Sequence, residues 1–219
     1  MKKTLFLVAL VFGLFLAAPL FSAASTSTDS DSFKERINGV EFEIPYNESE
    51  VYVEKSLEGL VSKIEVFEEG SGELLDTFAV EDEIVANKNE FSAMSTTVLR
   101  NVTRYRTSSA DNGLETWIRS VIEVYNSTSF SQIQSVHDTR WFTGSGGHTL
   151  ENASAYAVST TGDFPTTSIN VYGDVTLQVA TSATVSGGWE AAEFSIGGSV
   201  SGDNYYRKTV DLSFSYSLY

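Results

Sequence analysis

The sequence predicts an all-β protein: an antiparallel β-sandwich, or small open barrel, preceded by a small acidic β-rich region. Three observations carry that expectation. Apolar and polar residues alternate over long stretches of the C-terminal half, Gly, Asn and Ser turns separate those stretches, and convincing helical periodicity is scarce. The chain of 219 residues is 42% hydrophobic with three prolines, a composition that supports a folded core. It has no cysteine, which excludes a disulfide scaffold, a thiolate metal site and a cysteine nucleophile.

Residues 1–24 read as an export signal. Lys2 and Lys3 supply the positive start, Leu5 to Ala18 form a short apolar run, and Ser22-Ala23-Ala24 supplies small residues for cleavage after Ala24. The run falls short of the roughly 20 apolar residues that span a bilayer, so no stable membrane span is expected once the signal is removed. The Met-Lys-Lys start looks bacterial, and the expected location is secreted, extracellular or loosely attached to the cell wall. Residues 25–32, STSTDSDS, hold no apolar side chain and read as a flexible tether.

Charge and composition then change along the chain. From Asp29 to Glu90 there are 18 acidic and 5 basic residues, whereas from Phe91 to Tyr219 there are 11 and 7. The second stretch is also rich in Ser and Thr. This places a boundary near residues 87–94, dividing an acidic β-rich region (33–92) from a Ser/Thr-rich antiparallel sandwich (93–219). The overall charge of −15 makes nucleic acid or an anionic membrane surface a poor partner.

In the acidic region, Val40 to Ile44 alternates strictly and stops at Pro45. Lys63 to Glu68 and Leu74 to Val80 flank a Glu69-Gly70-Ser71-Gly72 hairpin loop. Leu57, Leu60, Val61 and Ile64 have helical spacing and allow a short helix leading into that hairpin. Further on, segments 96–106 and 130–142 look extended. The intervening 114–125 fits either an amphipathic helix, with Asn112 and Glu115 as a capping box, or a strand rich in β-branched and aromatic residues; its neighbours favour the strand.

Ile169, Val171, Val175, Leu177 and Val179 share one parity and Ser168, Asn170, Asp174, Thr176 and Gln178 the other. A two-residue turn at Gly173-Asp174 would mix these faces. A three-residue loop at 172–174, or a continuous strand kinked at the glycine, keeps them apart. Ala192, Phe194, Ile196 and Val200 continue the alternation. The last strand is the clearest, with Val210, Leu212, Phe214, Tyr216 and Leu218 facing one way and Asp211, Ser213, Ser215 and Ser217 the other.

No catalytic, metal or cofactor site is expected. Gly144-Ser145-Gly146 lacks the first glycine of a nucleophile elbow, since Thr143 stands there, and reads as a loop. His137, Asp138 and His148 lack metal-ligand spacing. Arg100, Arg104 and Arg106 share a strand face and read as cross-strand ion pairs on an exposed sheet surface, with an anion or acidic-glycan site as the sharper alternative. Trp117, Tyr125, Trp141, Phe142, Trp189, Tyr205 and Tyr206 sit among polar residues. Of these, Trp117, Tyr125, Trp141, Trp189, Tyr205 and Tyr206 are the candidate ligand-binding residues, either stacking on sugars or packing at sheet edges.

The expected role is non-catalytic: binding an extracellular ligand such as a glycan, or a structural or surface-interaction task. One alternative is a pore-forming toxin or bacteriocin-like protein, because residues 174–185 and 191–201 could form a membrane hairpin. The other is a secreted hydrolase using His137 or His148. The sequence names neither the ligand nor an oligomeric state.

Overall fold

A computed structural model describes residues 32–83, 95–106, 113–180, 194–198 and 204–219. The export signal, the tether apart from Ser32, the proposed boundary at 87–94 and Trp189 lie outside the described residues. The described residues hold twelve strands and no helix. They are β1 (Phe33–Ile37), β2 (Val40–Ile44), β3 (Val51–Glu58), β4 (Val61–Glu68), β5 (Leu74–Glu83) and β6 (Ser95–Arg106). After these come β7 (Thr116–Ser127), β8 (Ser131–Thr143), β9 (Thr149–Ser159), β10 (Ser168–Ala180), β11 (Ser195–Gly198) and β12 (Asn204–Ser217).

The strands form two antiparallel six-stranded sheets, and the arrangement is an open sandwich rather than a closed barrel. One sheet runs β1-β2-β12-β10-β9, with β11 also paired to β12; the other is a meander, β3-β4-β5-β6-β7-β8. Both sheets combine strands from the two sides of the compositional step. β2 pairs with β12 through Phe42↔Tyr216 and Ser217↔Glu41, and β5 pairs with β6 over eight positions.

The period-2 pattern decides what is buried. Val40, Phe42 and Ile44 of β2, Ile169, Val171, Val175 and Leu177 of β10, and Val210, Leu212, Phe214 and Tyr216 of β12, with Leu218 just beyond it, turn inward. They meet Ile64 and Val66 of β4, Phe78 and Val80 of β5, and Ile118, Ile122 and Val124 of β7 in one core. Phe42 is fully buried and touches rings from both sheets, with centroids at 5.4 Å from Phe78, 6.3 Å from Phe214 and 5.7 Å from Tyr216. Burying one such side chain is worth about 1.5–3 kcal/mol.

Two local expectations resolve plainly. Segment 114–125 contains no helix and enters strand β7 at Thr116; its even residues are buried and its odd ones half-exposed. Residues 172–174 are no loop, because β10 runs straight through them with parity kept, and the irregularity falls on the β9 side between Asp174 and Thr176. Gly173 is needed there for room rather than for a turn. A Cβ at that position would lie 2.6 Å from Ile118 Cδ1 and 2.8 Å from Trp141 Nε1.

Two others are corrected. The helical spacing of Leu57, Leu60, Val61 and Ile64 produces no helix; the residues belong to the β3–β4 hairpin, turned by Gly59 at φ +64°. Leu57 and Leu60 are 66% and 59% exposed, while Ile64 is buried, so the four never shared a face. The β-branched residues of both strands override the spacing.

Arg100 and Arg104 do form cross-strand ion pairs, but inside the sandwich rather than on an exposed face. The side chain of Arg106 lies outside the described residues. Arg104 grips buried Asp76 through Nε at 3.2 Å and through Nη2, and donates Nη1 to the Ser213 carbonyl of the facing sheet. Tyr46 completes the cluster by donating to Asp76. Arg100 holds Asp82 through Nε and Nη2 and donates to the Tyr216 hydroxyl at 2.6 Å, again across the sandwich. Burial opposes both charges. The bonds to Asp82 and Tyr216 for one, and to Asp76 and Tyr46 for the other, more than offset it, and both guanidinium pKa values rise. Inward-facing arginines survive because β5 places Asp76 and Asp82 on its own inward parity.

Candidate functional site

The five candidate aromatic residues among the described residues, Trp117, Tyr125, Trp141, Tyr205 and Tyr206, do not gather. Trp117 and Tyr125 are half-exposed on the outer face of the meander sheet, eight residues apart on β7, roughly 27 Å along the strand. Trp141 points the other way. It is 7% exposed, belongs to the core and donates its indole N–H to the Ser154 carbonyl at 2.8 Å. Tyr206 packs against the core, and Tyr205 lies on the opposite parity beside Arg207.

The polar face of the last strand defines a different site. Ser213, Ser215 and Ser217 of β12 and Ser168, Asn170 and Tyr172 of β10 point outward from the first sheet. Along this face run three adjoining hollows of about 260, 230 and 300 Å³. The first contains Tyr156, Tyr172, Asp174, Asp211 and Ser213; the second shares Tyr172 and Ser213 with it; the third shares Glu43, Asn170 and Ser215 with the second. From Asp211 to Ser217 the groove follows β12 over seven residues, about 20 Å.

Its geometry follows from the pairing. The β2–β12 ladder holds only at Phe42↔Tyr216 and Ser217↔Glu41, so the floor beyond it is bounded by Glu43 and Pro45 as β2 ends. Lys34 bridges Glu41 at 2.7 Å on this rim. That hydrogen bond and charge raise the Lys34 pKa, while Lys34 and Arg36 hold the Glu41 carboxyl below its ordinary value. Ser32 donates to Glu43 and Ser215 to Asn170, at 2.6 and 2.9 Å.

At the other end, Tyr156 and Tyr172 are 53% and 37% exposed, with ring centroids 5.4 Å apart and planes tilted by 30°. Asp174 and Asp211 stand directly opposite each other beside them. Open tyrosine rings next to a strip of hydroxyl groups and the Asn170 amide offer a ligand both an apolar face and many directional hydrogen bonds. Sequence reading missed both tyrosines. The signal was present: Tyr172 occupies an even position between Asn170 and Asp174, on the wet face of a well-defined strand.

The histidines lie elsewhere and apart. His148 is 6% exposed and lies 2.8 Å from the Thr116 hydroxyl. His137 is on the outer face of β8, with Nε2 3.1 Å from Glu123 Oε2, and Ser135 donates to that same oxygen at 3.1 Å. The carboxylate stands between hydroxyl and imidazole, which is not the order in which an imidazole takes a proton from a serine. Asp138 pairs with Arg140 at 2.8 Å. No helix among the described residues is long and apolar enough to cross a membrane.

No protein-family model matches the chain, and no curated protein or solved structure is significantly similar to it.

Proposed function

We propose that this is a secreted, non-catalytic binding protein whose ligand is an extracellular oligosaccharide lying along the β10–β12 groove. The observation that carries the reading is the groove itself, about 20 Å of outward hydroxyls, the Asn170 amide and flanking carboxylates, ending on two open tyrosine rings. Pyranose rings present apolar C–H faces to aromatic rings and hydroxyls to polar side chains, so Tyr156 and Tyr172 stack while Asn170, Ser213 and Ser215 orient. The arrangement needs no movement of the sheet, because every contributing residue sits on a paired strand.

Titration calorimetry with β-linked hexamers of glucose, xylose and N-acetylglucosamine tests it. Binding of at least one hexamer is expected, and Tyr172→Ala is expected to weaken it about tenfold, the loss of roughly 1.4 kcal/mol. Tyr125→Ala, on the other sheet, is expected to leave it unchanged. Failure of all three hexamers to bind, or equal losses at Tyr172 and Tyr125, would overturn the assignment.

A further inference from the structure

Arginines in this protein find carboxylates. Arg36, Arg140 and Arg207 each have one within 3.0 Å, and Arg100 and Arg104 are clamped to theirs inside the core. Arg119, half-buried on the outer face of β7, is the exception among the described arginine side chains. Its side chain makes no hydrogen bond or ion pair with any described residue, and its Nε is buried without an acceptor among them. This happens in a chain with 29 acidic residues against 14 basic ones.

Its neighbours compound the oddity. Arg119 stands directly opposite Arg140, and both guanidinium groups lie over the Phe142 ring, at 4.3 and 5.1 Å from its centroid. The cross-strand row through Arg119 also contains Lys63, reached through Thr103 and Ala79. Two residues along, about 7 Å away, the adjacent row places Tyr105, Trp117 and Phe142 side by side. Their successive ring centroids are 5.2 and 5.7 Å apart.

We infer that this outer face of the β6–β7–β8 sheet is a second binding site, for an anionic sugar whose carboxylate or sulfate sits on Arg119. The Phe142 face, 4.3 Å from the guanidinium, holds it by its charge and leaves its donors unspent, free to grip an oxyanion in a bidentate fork. The aromatic row, one step away, accommodates the apolar face of the ring bearing that anion. Lys63 and Arg140 lie along the same row but are each paired with a carboxylate, Glu58 at 3.5 Å and Asp138 at 2.8 Å, so Arg119 is the cation of this row left to meet an anion among the described residues. The protein's net charge of −15 disfavours a long phosphate backbone, and a sugar carrying a single anion per residue is the better fit. The site is separate from the β10–β12 groove and stands or falls independently of it.

The test is binding of the protein to hexamers of galacturonate, of sulfated galactose and of neutral galactose, with a single-stranded hexanucleotide as a fourth probe. At least one acidic hexamer should bind at least tenfold more tightly than the neutral one, and added salt should reduce that preference. Whichever acidic hexamer binds identifies carboxylate or sulfate as the recognised group. Arg119→Gln should abolish the preference, and Arg119→Lys should restore part of it, which separates loss of charge from loss of packing over Phe142. Equal binding of acidic and neutral hexamers, no binding of either acidic hexamer, an unchanged preference in Arg119→Gln, or tighter binding of the hexanucleotide would each overturn the inference.

Discussion

Replacing Asp76 with alanine is expected to destabilise the protein by about 3–5 kcal/mol, measured as a lowered midpoint in urea unfolding. Asp76 is 2% exposed and accepts from Arg104 and Tyr46 at once. Without it, the guanidinium stays buried between the sheets with only neutral partners, the Ser213 carbonyl, the Tyr46 hydroxyl and the Phe78 face, to offset its charge. The cost is therefore that of an uncompensated buried cation rather than that of one hydrogen bond. Pairing Asp76→Leu with Arg104→Met should recover most of the loss, because apolar residues of similar volume can replace a buried ion pair at little cost. The Ser213 carbonyl would then lack its donor, a residual penalty of about 1–3 kcal/mol. If Asp76→Ala unfolds like the parent protein, the two sheets are not joined in the way described.

The second large effect concerns alkaline pH. Burial pushes the Tyr216 hydroxyl up to about 12, the nearby Arg100 opposing the shift without cancelling it. An unfolded tyrosine ionises near pH 10. The folded protein therefore binds more protons than the unfolded chain between these values, and stability falls as pH rises through that window. Two pH units correspond to about 2–3 kcal/mol. Below pH 10 the hydroxyl is neutral in both states and contributes no slope. Urea midpoints taken from pH 9 to 12 should show the decline, and Tyr216→Phe should flatten most of it. Some slope should persist, since burial also raises the Tyr105 hydroxyl. Tyr216→Phe should itself cost about 1 kcal/mol at neutral pH, where Arg100 loses an acceptor. An unchanged pH profile in that variant would contradict the placement of Tyr216 in the core.

Period-2 alternation made much of the fold legible. β2, β10 and β12 carry strict parity, and the register argument that kept the faces of 168–179 apart is realised as a continuous strand through Gly173. The pairing of strands was not legible, because alternation says which face is buried but not which strand lies alongside. Nothing in the charge step near 87–94 indicates that β2 meets β12 or that β5 meets β6. The inward arginines were misassigned because a charged residue on one parity ordinarily marks the wet face. The decisive clue was the partner pattern on β5, where Asp76 and Asp82 share parity with Phe78 and Val80.

The candidate site shows the same division. Trp117 was chosen for lying among polar residues, and the structure adds Tyr105 and Phe142 from the neighbouring strands. Trp141 met the same criterion yet is core, because its ring fills the space left by Gly173 on the facing sheet. Absence of a side chain on one strand can thus decide where a large one on another must go, and no pattern within a single segment reveals it.

The groove exists only because strands from opposite ends of the chain lie together in one sheet over a shared core. Native-state hydrogen exchange reads this directly. Buried amides of β4 and β5 and those of β7, β10 and β12 should exchange through one common opening, with a single free energy equal to that of global unfolding. Exchange of β4 and β5 through a separate opening of lower free energy, with β10 and β12 still protected, would contradict the shared core and the groove built on it.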